Sequence, residues 1–497
     1  MTGSFRIFEN GRIAGAKSLA KNKTVYALVS SNHWSCAENN ATNAWNVNFN
    51  NGNTNGNNKY NTNLLAEAVA ALTEDEIQTW IEAYDACCRN KRTSAQCTLY
   101  RLNYEEDLLI LAAEVKARIY KQRQSEAFCV KYPKVREIFA ANFRDRIVQH
   151  WIVLHIEPLL ESLFVEVGDV SYNCRKGYGT LSAVRKQEDN IRKVSANWTE
   201  EAWVGCGDIQ AFFMSIDTRL MWRMYERFIT ERYKGKDIEV LLWVSKSTIL
   251  HEPQKNCIQK GDLSLWDILP KYKSLFGSPA FIGMPIGNIT TQHLANFMMS
   301  AFDKWAVGAV NAFGGTYIRF VDDVRVVARN KEDIKGFFAS AEKWLTNNLQ
   351  LKLHPNKRYL QPVRHGDAFV GAVIKPNRTY ISNRTRARMY YKCQSLERMC
   401  QGLSQTDRDG SGGSKLKKYA SVINSYMGQL IHYNTYGIRR QMLSGLKFFW
   451  QYYYVVKFNK IKQKQYEQEV RCGETADNQK HRSKSNFELR SIRSKRR

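Results

Sequence analysis

Two short runs of strand-forming residues, far apart in the chain, both end in acids. The first, Trp203–Gly207, delivers Asp208; the second, Thr316–Phe320, runs through Val321 into Asp322 and Asp323 and continues as Val324-Arg325-Val326-Val327. β-Branched and aromatic residues on both sides of the acid pair predict a hairpin with carboxylates at its tip. An Asp-Asp pair alone is an ordinary solvated turn, but a third acid at the end of another strand can be brought against it by strand pairing. Between the two runs lies GMPIGNITTQHLANFMMSAFDKW, a Gly-bounded turn opening a helix whose apolar positions Leu294, Phe297, Met298, Ala301, Phe302 and Trp305 have helical spacing.

Three converging carboxylates are hard oxygen donors of the kind that suits Mg²⁺. The chemistry that calls for them is phosphoryl transfer, in which two divalent ions about 4 Å apart activate an attacking hydroxyl and stabilise a leaving pyrophosphate. The charge balance fits a polyanionic substrate. Lys plus Arg number 74 against 47 for Asp plus Glu, a formal charge of +27 with a sequence pI of about 9.6. The basic residues run from Arg6 to Arg497, which favours a broad electrostatic groove for nucleic acid over a single localisation signal. With 497 residues, 43% of them hydrophobic, the chain has ample material for a buried core. Eleven cysteines include no C-x-x-C pair, and Cys87, Cys88 and Cys97 have no His cluster at zinc spacing, so reduced structural thiols are expected. Met1 is followed by no apolar leader and no apolar run is long enough to span a bilayer, which predicts a cytoplasmic protein without a membrane partner.

The remainder of the chain divides by pattern. Thirteen of the 25 residues from Asn39 to Asn63 are Asn, giving a loop or low-complexity segment over residues 1–63. A helical extension is expected over 64–130, with Thr73 and Glu76 as a capping box. Phe143–Phe164 reads as a buried helix ending near Pro158 and restarting. A basic Gly-rich segment, CRKGYGTLSAVRK, precedes the first acid-bearing strand; a helix near Ile334–Leu349 and short strands near Tyr359 and Ala368–Ile374 come after the second. Residues 383–464 become helical, Tyr-rich and basic, and 465–497 form a basic tail.

The boxes from Arg144 to about Arg384 resemble, in order and spacing, the fingers and palm of a reverse transcriptase. DIQAFFMSID resembles the first palm box, FVDD the Y/F-x-D-D box, HPNKR the lysine-bearing box and AFVGAVIKP the primer grip. The resemblance implies an α+β right-hand polymerase with fingers and palm over 131–382, an antiparallel palm sheet and a helical thumb. It implies two Mg²⁺ ions held by Asp208, Asp322 and Asp323 with the carbonyl of Ile209, and Lys357 protonating pyrophosphate. Arg175 and Arg185 would meet the triphosphate of a dNTP, Phe213 would act as a steric gate against a ribose 2′-hydroxyl, and Ile286, Gly287 and Gln292 would line the nucleotide site. Phe369, Val370 and Gly371 would form the primer grip.

Within that family RDRIVQHW, CRKGYGT and MPIGNITTQ look like the reverse transcriptases of diversity-generating retroelements. Retroviral enzymes have Gln at the position of Ile286, so an aliphatic side chain there implies loosened selectivity opposite template adenine. The segment WSCAENNATNAWNVNFNNGNTNGNNKYNTN resembles the variable end of the lectin-like proteins such elements diversify, as if this stretch derived from a template repeat. The implied activity is copying a template-repeat RNA into cDNA with adenine-directed errors for mutagenic retrohoming. Implied partners are template RNA, the cDNA/RNA hybrid, dNTPs and a small basic pentameric accessory protein. The alternatives are a related reverse transcriptase of antiphage defence or retron type, and a catalytically inactive RNA-binding scaffold.

Overall fold

The computed structural model describes residues 64–89, 94–131, 134–401, 411–456 and 460–463; the Asn-rich segment and the basic tail lie outside them. The chain divides into two compact units, one ending at Arg378 and the other beginning at Thr379.

After a helical stretch at residues 64–70, the first unit continues with helices α1 (Glu74–Cys88), α2 (Ala95–Tyr100) and α3 (Tyr104–Lys116). Helix α1 begins where the sequence signals it: Thr73 Oγ1 accepts from Glu76 N at 3.2 Å and Glu76 Oε2 accepts from Thr73 N at 2.8 Å. Strands β1 (Ser125–Val130) and β2 (Arg136–Ala140) come next, then the long helix α4 (Phe143–Glu166). Trp80 of α1 stacks on Trp151 of α4 with ring centroids 5.1 Å apart, and Arg144 of α4 donates to Glu114 of α3 at 2.7 Å. The helical extension therefore shares one continuous core with α4. Cys87, Cys88 and Cys97 are buried thiols of this core, with the Cys88 and Cys97 sulfurs 3.5 Å apart.

Pro158 does not end α4, contrary to the expected break. The helix runs on through it for 24 residues in all. An internal proline costs a helix about 3 kcal/mol. Ile152 and Ile156 before it, and Leu160 and Phe164 after it, are all buried in the same core; at roughly 1.5–3 kcal/mol for each fully buried large apolar side chain, that burial outweighs the proline.

Next come α5 (Thr180–Val194), β3 (Trp203–Asp208), α6 (Thr218–Arg232), α7 (Ile238–Ile249) and β4 (Cys257–Lys260). Strand β1 pairs antiparallel with β2 and parallel with β4 to make a small three-stranded sheet. Helix α8 (Ile289–Asn311), the hairpin β5 (Thr316–Phe320) and β6 (Asp323–Ala328), α9 (Lys331–Leu349) and β7 (Tyr359–Pro362) complete the central layer. Its sheet has the order β5-β6-β3-β7 and is antiparallel throughout. The unit ends in the hairpin β8 (Asp367–Phe369) and β9 (Ala372–Lys375).

Side chains alternate across a strand, so register decides what each face of this sheet carries. One face takes Tyr317, Arg319, Val324 and Val326 against α8 and α9. Helix α9 approaches so closely that a Cβ at Gly205 of β3 would lie 2.7 Å from the Phe338 ring, which is why glycine stands there. The other face carries Cys206, Asp208, Asp323 and Arg325.

Arg319 is fully buried on the first face. Its guanidinium forks onto Asp303 of α8 at 2.7 and 2.5 Å and donates to Asn296 Oδ1 at 2.9 Å, while Tyr317 also donates to Asp303 at 2.7 Å. Breaking such a pair leaves an uncompensated buried charge, so Arg319→Met should cost about 3–5 kcal/mol in urea unfolding. The double variant Arg319→Met with Asp303→Leu should recover most of that loss; equal losses in the single and double variants would refute the pairing.

The second unit holds helices α10 (Asn383–Gln401), α11 (Ser411–Leu430), α12 (Tyr436–Ser444) and α13 (Phe448–Tyr452) and the ribbon β10 (Tyr453–Val456) and β11 (Lys460–Gln463). It has its own core, with Met389, Cys393, Tyr419, Ile423, Phe449 and Tyr453 buried. The buried Glu397 accepts from Tyr419 Oη at 2.7 Å and from the amide of Phe448, tying α10 to α11 and α13. Among the described residues no helix is long and apolar enough to cross a membrane.

Candidate active site

Strands β3 and β6 are in register so that Asp208 lies opposite Asp323 at the last rung. Strands β5 and β6 close at the pair Phe320–Asp323, leaving Val321 and Asp322 as a two-residue tip. Val321 sits at φ 60°, a left-handed conformation that β-branched residues rarely adopt. Strain of this kind survives only where neighbours fix it. Here Arg319 Nη1 donates to the Val321 carbonyl at 2.9 Å and Ile209 N donates to the Asp322 carbonyl at 3.2 Å. The buried Ile209 thus pins the hairpin tip to the end of β3, and the His354 amide fixes that end again by donating to Asp208 O at 2.7 Å.

Each outer acid of the trio has a cation. Lys357, half-exposed, donates from Nζ to both carboxylate oxygens of Asp208 at 2.8 and 2.9 Å. Arg325, buried on the same sheet face, donates from Nη1 to Asp323 and to Cys206 Sγ, the latter at 2.7 Å. Asp322 has neither. Burial first and the charge of Asp208 second push its carboxyl up to about 6. Burial also raises Asp323, with Arg325 opposing, and desolvation pushes the Cys206 thiol up to about 12.

The donor set is all oxygen and crowded with negative charge, which fits hard divalent cations. Among the described residues, however, no three ligand side chains converge as a ready-made metal cluster. Lys357 and Arg325 stand on Asp208 and Asp323 where a divalent charge would otherwise act. Asp208, Asp322, Asp323 and the carbonyl of Ile209 are the groups that could hold such an ion.

The other expected residues divide between the Ile286–Gly287 turn and its surroundings, the surface and the β8–β9 hairpin. Phe213, half-buried against Phe212, accepts at its carbonyl from Met284 N at 2.7 Å, so it lies beside the turn that carries Ile286 and Gly287. Ile286 packs with Phe139 and Met214 and accepts from the Phe139 amide at 2.9 Å. Gly287, at φ 125°, brings its backbone so close that a Cβ would lie 2.9 Å from the Phe139 carbonyl. Gln292 is exposed on the first turn of α8 and accepts from the Cys174 thiol at 3.6 Å; Arg185 is exposed on α5. Phe369 is buried at the turn end of β8 in the β8–β9 hairpin, whose two-residue turn is Val370–Gly371, both at positive φ as such turns require.

Arg175 is placed differently from the triphosphate contact expected of it. Its side chain is 0% exposed and holds Glu161 at 2.5 Å, Asp169 at 2.7 Å and the Ser171 carbonyl at 2.7 Å, with the Tyr178 ring 3.8 Å from the guanidinium carbon. That guanidinium is committed to the fold. The residues that sequence reasoning passed over are Arg325 and its second partner Asp367, which is fully buried and 3.1 Å from Arg325 Nε. The signal was present: in Asp-Val-Arg-Val the arginine is in phase with Asp323, so it had to share its face.

A match to known sequences covers this layer. Residues 129–365 fit the family model described as Reverse transcriptase (RNA-dependent DNA polymerase). This segment is similar to reverse transcriptase domains. The chain is also 23% identical to protein YkfC of Escherichia coli (strain K12) over 268 residues, 48% of this chain and 62% of that one. Solved structures similar to it include a telomerase from Candida albicans in complex with a TWJ fragment of telomeric RNA (10% identity, 65% of this chain and 55% of that one, TM-score 0.36). An apo telomerase from Candida tropicalis is similar at 11% identity, 65% and 56% coverage and a TM-score of 0.42. The chain thus spans 62% of the curated relative and little more than half of each telomerase chain.

The electrostatics of the three acids give a sign that can be checked. Asp322 is held above its ordinary 3.8, at about 6, so its ionised form opposes folding; the penalty grows as pH rises between those values and is complete above the upper one. Asp322→Asn should therefore stabilise the metal-free protein by roughly 3 kcal/mol near neutral pH and by well under about 1 kcal/mol near pH 4. Thermal melts at the two pH values measure this, and a gain of equal size at both would contradict the assignment.

Proposed function

We propose that this protein is an RNA-directed DNA polymerase of a diversity-generating retroelement, copying a template-repeat RNA into cDNA with errors directed at template adenines, for retrohoming into a target gene. The observation that carries the polymerase reading is the pairing of Asp208 with Asp323 at the last rung of β3 and β6, with Asp322 at the adjoining hairpin tip, within the segment that fits the reverse transcriptase family. The retroelement reading is supported by Ile286 on the turn beside Phe213 and by the Asn-rich amino-terminal segment.

In this reading Asp208, Asp322 and Asp323, with the Ile209 carbonyl, hold two Mg²⁺ ions. When bound, such ions supply charge stabilisation to an attacking primer hydroxyl and a departing pyrophosphate. The protein's own groups do the rest. The β8–β9 turn at Val370–Gly371 grips the primer end. Phe213 excludes a ribose 2′-hydroxyl. Ile286, Gly287 and Gln292 shape the base site, and Arg185 meets the triphosphate. Lys357, on an exposed loop and 2.8 Å from Asp208, is within reach of a leaving phosphate and can give it a proton. The helices from Asn383 onward act as the thumb, and template RNA and the growing hybrid are held mainly by phosphate contacts that weaken with salt. A small basic pentameric protein assists with the template RNA.

Incubating the protein with its upstream non-coding RNA, Mg²⁺ and dNTPs, and sequencing the cDNA, tests both levels. Substitutions concentrated at template adenines are expected. Faithful products would move the protein to the defence or retron class, and no product even with the accessory protein would leave an RNA-binding scaffold. Asp322→Ala with Asp323→Ala should lower synthesis by at least a thousandfold while RNA affinity stays within about twofold of wild type.

A further inference from the structure

Arg325 is the most heavily committed side chain of the sheet face that bears the acids. Besides Asp323 and the Tyr359 ring of β7, whose centroid lies 5.6 Å from the guanidinium carbon, it meets four groups outside its own strand. Nε donates to Asp367 Oδ1 at 3.1 Å, Nη2 to the Ala368 carbonyl at 2.9 Å and Nη1 to Cys206 Sγ at 2.7 Å, and the Phe369 ring centroid lies 4.9 Å from the guanidinium carbon. Three of those four belong to β8. This strand ends at Phe369, immediately before the turn Val370–Gly371.

The far side of the contact is equally fixed. Asp367 is fully buried, and its second oxygen accepts from Gln187 Nε2 of α5 at 2.8 Å, while its first also accepts from Tyr359 Oη of β7 at 2.9 Å. Phe369 is fully buried beside Ile318, Ala183 and Tyr172. Hairpin β8–β9 is short, with three paired residue positions, and is not part of the central sheet. Backbone pairing therefore does not set where it stands relative to β6. A planar guanidinium with five donors can hold two carboxylates and a carbonyl in one plane at once, which a lysine cannot do.

We propose that Arg325 is a positioning residue that joins Asp323 and the base of the β8–β9 hairpin into one rigid body, so that this side chain sets the place of the Val370–Gly371 turn relative to the carboxylates. Resting on the polymerase reading, this means that a primer end gripped by the turn is presented to the acids at a distance fixed by one guanidinium. Loss of the bracket leaves nucleotide binding intact and misplaces the attacking hydroxyl.

The test uses the full-length chain and two variants. Arg325→Lys keeps one positive charge and loses the fork; Asp367→Asn keeps the shape of the hairpin side and loses its charge. In the nucleic-acid-free protein, backbone amide exchange over residues 367–375 should speed up at least tenfold in Arg325→Lys, with α4 and α8 unchanged. In primer extension, kcat should fall at least tenfold while the KM for dNTP moves less than twofold, and Asp367→Asn should show the same pattern more weakly. Hairpin exchange equal to wild type in both variants would overturn the bracket. Loosened hairpin exchange with an unchanged kcat would overturn its role in presenting the primer. If Arg325→Lys does not fold, Asp367→Asn alone decides, by the same two readouts. Wild-type protein without primer extension would sink the polymerase reading and leave the exchange result standing as the test of the bracket.

Discussion

Carboxylates crowded at the end of a sheet repel one another and lose hydration as they are buried, and the reverse-transcriptase-like segment depends on how that repulsion is balanced. Two cations carry the balance, from opposite sides and in different ways. Lys357 reaches Asp208 from an exposed loop on a flexible stem, so it can leave when a stronger positive charge or a phosphate arrives. Arg325 reaches Asp323 from inside the protein, locked by Asp367 and the Ala368 carbonyl, and cannot leave without breaking a buried network. Asp322, on the strained tip, has no such cation, and burial first and the charge of Asp208 second raise its carboxyl pKa.

The opposite face of the same sheet solves a different problem with the same residue type. Arg319 and Asp303 form a fully buried pair, and the arginine's remaining donor holds the Val321 carbonyl. The left-handed backbone at Val321 is thus held from beneath by an arginine whose other bonds reach α8. Helix α8 in turn begins just after the Ile286–Gly287 turn. The hairpin tip is consequently tied to the helix that the Ile286–Gly287 turn opens.

Much of this could be read from the sequence because strand periodicity and turn chemistry are local. The run TYIRFVDDVRVVAR predicts its own hairpin and Thr73 and Glu76 their own cap, whereas the turn at Val370–Gly371 falls inside the stretch Ala368–Ile374 expected as strand. What local pattern does not carry is which partner a charged side chain meets. Arg175 sits in a basic Gly-rich segment that suggests phosphate contact, yet Glu161 and Asp169 take it into the interior. Pro158 suggests a break, yet the apolar positions on both sides of it share one core. Asp367 carries no motif at all, because its role depends on β8 lying beside β6, a relation set by tertiary packing.

Charge on the two sheet faces also bears on how the acids can share one end of the sheet. A buried carboxylate with no partner takes a proton, and three adjacent ones would do so in part even near neutrality. Supplying one fixed arginine and one lysine leaves Asp322 as the acid with no cation of its own, its carboxyl pushed up to about 6 by burial first and by the charge of Asp208 second. Such a site is weakly negative with Lys357 in place and strongly negative once that side chain turns away. A fully balanced site would gain little from a divalent cation; a fully unbalanced one would not fold around three charges. The arrangement around Asp208, Asp322 and Asp323 lies between these limits, and the burial of Arg325 keeps it there.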